Sequence, residues 1–139
     1  MQRWARRLDL PLNPTPRFWP VAGALAAQAT LAADLLYHRG GDMSEAILAA
    51  VWARDLDISD PEVIARLAQE IGLDAQALGD AATGTDVTAT AELLTRKAVD
   101  LQLFGSPTYV FGAEIFFGQD RLDFLEDALR QDKIGAGLA

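Results

Sequence analysis

The chain has 139 residues, 50% of them hydrophobic, and a formal net charge of −8 from 12 basic and 20 acidic side chains. That length suits one domain with a sizeable core, and an acidic balance without a basic run argues against nucleic acid and anionic membranes as partners. With no cysteine in the sequence, a disulfide and a CxxC redox pair are both ruled out, and with them a dithiol oxidoreductase.

Gln2 to Leu8 has helical spacing, with Trp4 and Leu8 on one face. No capping residue precedes it, and Arg3, Arg6 and Arg7 crowd the end where the macrodipole disfavours cations. A helix that had started earlier would be better written than one that starts at Met1. These arginines lack the apolar stretch of a signal peptide, so a cytoplasmic protein is expected. Leu10 to Pro20 contains Pro11, Pro14, Pro16 and Pro20 and should be an extended connector carrying Arg17, Phe18 and Trp19. Val21 to Arg39 is an Ala/Leu helix expected to stop at Gly40-Gly41. Its apolar run is broken by Gln28, Thr30 and Asp34, too early to cross a membrane.

Asp42 and Glu45 have the spacing of a capping box, which would open a helix running to about Arg54. Asp60-Pro61-Glu62 starts the next helix, with proline in its first turn, and Gly72 ends it. Asp74 caps a short helix to about Ala82, and Gly84 follows. Asp86 or Thr88 opens a helix to about Leu101, with Ala91, Leu94, Ala98 and Leu101 as its expected buried stripe.

The last third changes character. Thr108-Tyr109-Val110-Phe111 is β-branched and aromatic, Gly112-Ala113 suits a tight turn, and Glu114-Ile115-Phe116-Phe117 returns as a second strand. Pro107 sits at the strand's entry, where a residue with no N–H to donate belongs, and it pushes Ser106 towards extended backbone. Gly118 breaks the second strand, and Gln119-Asp120 should cap a helix whose apolar face holds Leu122, Leu125, Ala128 and Leu129. A lone two-stranded hairpin is marginal in water, so its aromatic residues need more sheet or a helix beside them.

The run Phe104-Gly105-Ser106-Pro107-Thr108, the hairpin, and Phe117-Gly118-Gln119-Asp120-Arg121-Leu122-Asp123-Phe124 resembles the C-terminal end of 2-hydroxychromene-2-carboxylate isomerases. These belong to the DsbA-like thioredoxin superfamily, beside the kappa-class glutathione transferases. The resemblance covers nearly the whole chain, but its specificity is concentrated between Phe104 and Phe124. It implies an α/β thioredoxin-like fold, mostly α here: a helical insertion domain over 1–102 and a C-terminal ββα over 103–139. The family's N-terminal βαβ part, which needs ~30 residues or more, is expected to be absent.

The same resemblance implies glutathione as cofactor and a cis Ser106–Pro107 bond. Ser106 would offer its backbone to the cysteinyl part, and Gln119 and Asp120 would hold the γ-glutamyl end. On its own each residue has a plainer reading, Pro107 as a strand-entry proline and Asp120 as an ordinary cap. The serine that activates the thiol in the resembled enzymes has no match, since Ser44, Ser59 and Ser106 stand in other contexts. No catalytic residue is therefore assigned within the chain. The expected function is glutathione-dependent isomerisation of a small aromatic substrate of the 2-hydroxychromene-2-carboxylate type, in aromatic-compound breakdown. Two alternatives stay open: a kappa-like glutathione transferase, and a non-catalytic helical binding or assembly module. A homodimer burying exposed sheet edges is a further expectation.

Other residues point to chemistry less strongly. Trp4, Trp19 and Trp52 read as packing residues, with Trp19 the best placed to line an aromatic substrate pocket. The chain departs from the resembled pattern there, because Phe18-Trp19-Pro20-Val21 runs into Ala22-Gly23 where relatives place an asparagine and a small hydroxyl residue. His38 stands beside a helix end with no acidic or nucleophilic partner in reach of the sequence. One His and no Cys make a metal site improbable, and Asp55, Asp57 and Asp60 lack the glycine and distal glutamate of a calcium loop.

Overall fold

The computed structural model describes the backbone of residues 1–136 and side chains as far as Asp132. Helices α1 (Gln2–Leu8), α2 (Ala24–Tyr37), α3 (Gly40–Trp52), α4 (Pro61–Glu70), α5 (Ala75–Ala82) and α6 (Thr85–Asp100) precede an antiparallel hairpin. Its strands are β1 (Thr108–Phe111) and β2 (Glu114–Phe117), and a 3-10 turn over Gln119–Arg121 leads into α7 (Leu122–Ala136). The chain forms two compact units, Met1–Leu94 and Thr95 onward, so the division falls inside α6.

Small residues and sharp caps build the first unit. In α2, Ala26, Ala29, Ala32 and Ala33 are buried, a stripe at helical spacing that lets α3 approach closely. Met43, Ile47, Ala50 and Val51 of α3 meet Val63, Ile64, Leu67 and Ala68 of α4 in one apolar core, closed by Leu78 and Ala82 of α5 and by Val87. The α4 and α5 starts match the sequence reading. The Asp60 carboxylate accepts from the Glu62 amide, and Asp74 accepts from the Gln76 and Ala77 amides, both at 3.0 Å.

Two boundaries differ from expectation. The second helix ends at Tyr37 because His38 adopts the left-handed conformation (φ 55°) and its amide bonds the Asp34 carbonyl at 2.9 Å. Gly40 and Gly41 do not stop that helix but open α3. A Cβ on Gly40 would lie 2.8 Å from the Asp34 Cβ, so glycine serves close approach there. The Asp42–Glu45 capping box does not form either. The helix begins two residues earlier, and Asp42 pairs with the Arg39 guanidinium instead of a backbone amide.

The expected stripe of α6 is not buried. Leu94 and Leu101 are exposed, Ala91 and Ala98 are half-buried, and Val87 in the first turn is the one buried residue of this helix. Trp4 is likewise exposed, with the Arg7 guanidinium 5.6 Å from its ring centre, and does not pack as expected.

In the second unit the hairpin register pairs Thr108 with Phe117, Tyr109 with Phe116, Val110 with Ile115 and Phe111 with Glu114. Gly112 takes φ +58° in the turn, as the sequence reading requires. Phe116 is buried and Tyr109 and Phe111 are half-buried on one face of the ribbon, while α7 packs on both strands. The other face carries Val110, Ile115 and Phe117, which are 42%, 48% and 44% exposed. Both faces are thus apolar, although a half-solvated antiparallel ribbon ordinarily alternates apolar with polar.

Candidate functional site

The candidate site is the end of the hairpin where the chain enters β1 and leaves β2. Gly105 lies against the Phe117 ring so closely that a Cβ on it would sit 2.5 Å from Cε2. Phe104 stacks on the same ring at 4.8 Å between centres. The Ser106–Pro107 bond that follows is cis, in agreement with the resemblance. The Thr108 hydroxyl donates to the Gly105 carbonyl, closing the bend.

What brings the two ends together is backbone chemistry. The Gly118 amide donates to the Pro107 carbonyl at 2.9 Å, one step beyond the Thr108–Phe117 pair. Gly118 can do this because it adopts φ +102° and ψ 150°, a region open essentially to glycine alone. The 3-10 turn then starts at Gln119, and the Arg121 amide returns to the Gly118 carbonyl at 3.1 Å. Gln119 and Asp120 therefore do not cap the final helix, as the sequence reading had it; Gly118 holds the capping position and they form the turn.

Ser106, Pro107, Gln119 and Asp120 are all exposed, and this geometry gathers them at one end of one ribbon. The Asp120 carboxylate folds back over Gly118, with Oδ1 2.5 Å from where a Gly118 Cβ would be. Among the described residues it accepts no hydrogen bond. The first amides of a helix also lack intrahelical acceptors, so this end combines such amides with an available carboxylate. Such a pairing suits a ligand carrying both a carboxylate and an ammonium group. Of the two glycines that shape the site, Gly118 was legible in the sequence only as a strand break and Gly105 only as part of the Phe104–Thr108 run.

Trp19 belongs to the first unit. It is 52% exposed and stacks on Trp52 at 5.0 Å between centres, the planes tilted by 46°. The connector that carries it is strapped down: the Asn13 amide donates to the Trp52 carbonyl, and the Arg17 amide donates to Asp55 Oδ1 at 2.6 Å. A second cis bond, Trp19–Pro20, lies in this strap and had no signal in the sequence. His38 is an exposed helix-terminal residue. The Ser59 hydroxyl is engaged by Asp57 at 2.6 Å, and Ser44 lies within α3. A shallow groove of about 510 Å³ between α3 and α4 is lined in part by Arg39, Asp42, Arg54 and Glu70. Four of its charges pair off, Arg39 with Asp42 and Arg54 forking onto both Glu70 oxygens at 2.6 and 2.8 Å. Among the described residues no cluster of three or more histidines or carboxylates is placed to hold a metal, and no helix is long and apolar enough to cross a membrane.

Residues 1–130 match the family model of the DSBA-like thioredoxin domain. The chain belongs to that family. Within the DSBA-like group it is 31% identical over 133 residues to the 2-hydroxychromene-2-carboxylate isomerase of Sphingobium xenophagum, and 26% identical to that of Pseudomonas sp. (strain C18). The matches cover 93% of this chain but 64% and 59% of those relatives, so it spans about three fifths of their length. A solved 2-hydroxychromene-2-carboxylate isomerase superposes with a TM-score of 0.78 at 24% identity, over 99% of this chain and 66% of that one, which establishes the shared fold. The cytosolic disulfide reductase DsbM from Pseudomonas aeruginosa, solved with GSH, superposes with a TM-score of 0.72 at 26% identity, over 93% of this chain and 73% of that one.

Proposed function

We propose that this DSBA-like chain carries the glutathione-holding part of an isomerase of the 2-hydroxychromene-2-carboxylate type. The observation that carries the reading is the bond from the Gly118 amide to the Pro107 carbonyl, which sets the Ser106–Pro107 edge beside the start of the last helix. Ser106 offers its backbone to the cysteinyl portion of the tripeptide, as an added strand would use it. Gln119 and Asp120 hold the γ-glutamyl end, the amides meeting its carboxylate and the Asp120 carboxylate its ammonium. The solved DsbM relative carries GSH on the same fold, which supports glutathione as the ligand class.

In the whole enzyme the glutathione thiolate would add to the unsaturated substrate, allow rotation about the former double bond, and leave unchanged. A free thiol has a pKa of ~8.5, so the thiolate needs electrostatic help, a role we assign to none of Ser44, Ser59 and Ser106. Trp19 is our candidate for the face that meets the substrate's aromatic ring. The reaction belongs to the breakdown of aromatic compounds, and reduced glutathione places it in the cytoplasm. Pairing of two chains through their hairpin edges would make a homodimer.

Isothermal titration of the 139-residue chain with reduced glutathione tests this. Binding is expected, with S106A unchanged because only its backbone is used. D120A should weaken it by roughly tenfold, the loss of one charge-assisted bond worth about 1.5 kcal/mol. A folded chain that takes up no glutathione would favour the non-catalytic helical module instead.

A further inference from the structure

We draw no further inference here: the strongest candidate, the outward apolar face of the β1–β2 ribbon formed by Val110, Ile115 and Phe117 with Phe104 stacked beside it, is unpartnered among the described residues, and nothing in the structure shows what covers it.

Discussion

Replacing Gly118 with alanine tests the geometry on which the candidate site depends. Two costs arise at once. The backbone at φ +102°, ψ 150° is closed to residues bearing a Cβ, a penalty of about 1–3 kcal/mol. The new methyl would also lie 2.5 Å from Asp120 Oδ1, so that carboxylate must swing away. The second cost can be relieved by a side-chain rotation, whereas the first cannot. The loss should therefore fall on the Gly118 amide, whose bond to the Pro107 carbonyl closes the hairpin end. Hydrogen exchange followed by mass spectrometry on peptides covering residues 103–121 reads this opening directly. Exchange should quicken by roughly 5- to 150-fold, the conversion of that penalty into an opening constant. All three tryptophans lie in the first unit, so their fluorescence should report unchanged unfolding there. D120A combined with G118A separates the causes. If the double variant regains normal exchange, the carboxylate clash was the whole effect and the assigned backbone strain is wrong. Unchanged exchange in G118A alone would refute the argument altogether.

The remaining expectations concern the first unit. L67A should destabilise it by about 2–5 kcal/mol in urea, because Leu67 is fully buried, while L93A on an exposed position should stay within about 0.5 kcal/mol. D74A removes a carboxylate that holds two α5 amides and should cost about 1 kcal/mol by the same assay. The pH dependence follows from two carboxyls held below their usual range: Glu70, chiefly by its hydrogen bonds from Arg54, and Asp57, first by the Ser59 hydroxyl and then by its amide. A carboxyl depressed in the folded state adds stability above its unfolded pKa and loses it as pH falls through the folded value. The urea midpoint should accordingly decline on acidification below about pH 5, and E70Q and S59A should each flatten that decline. An unaltered acid limb in both variants would remove these pairs from the account.

Local chemistry was legible in the sequence, and the tertiary arrangement was not. Asp60 before Pro61, and Asp74 before Ala75, announce helix starts because a cap needs only its own next few amides. The strands Thr108–Phe111 and Glu114–Phe117 were equally readable, since their residue types and the glycine at φ +58° act within one turn. Between Phe104 and Phe124 the order of residues also carried the family resemblance, including the cis Ser106–Pro107 bond, which propensity alone does not reveal.

Burial and close approach depend on partners distant in the chain. A helical stripe at Ala91, Leu94, Ala98 and Leu101 states which face is apolar, yet whether that face is covered depends on another element, and here it is not. Gly40 looked like a helix stop because glycine is a good one; it stands in the first turn of the next helix, where the Asp34 side chain leaves no room for a Cβ. The pairing of Gly118 with Pro107 likewise required the hairpin to close before the two could meet. The sequence by itself determined the Asp60 and Asp74 helix starts and the two strands with their turn, through contacts a few residues apart. Only the tertiary structure decided which surfaces are buried and which backbone groups converge, because those energies belong to pairs that the chain order does not place side by side.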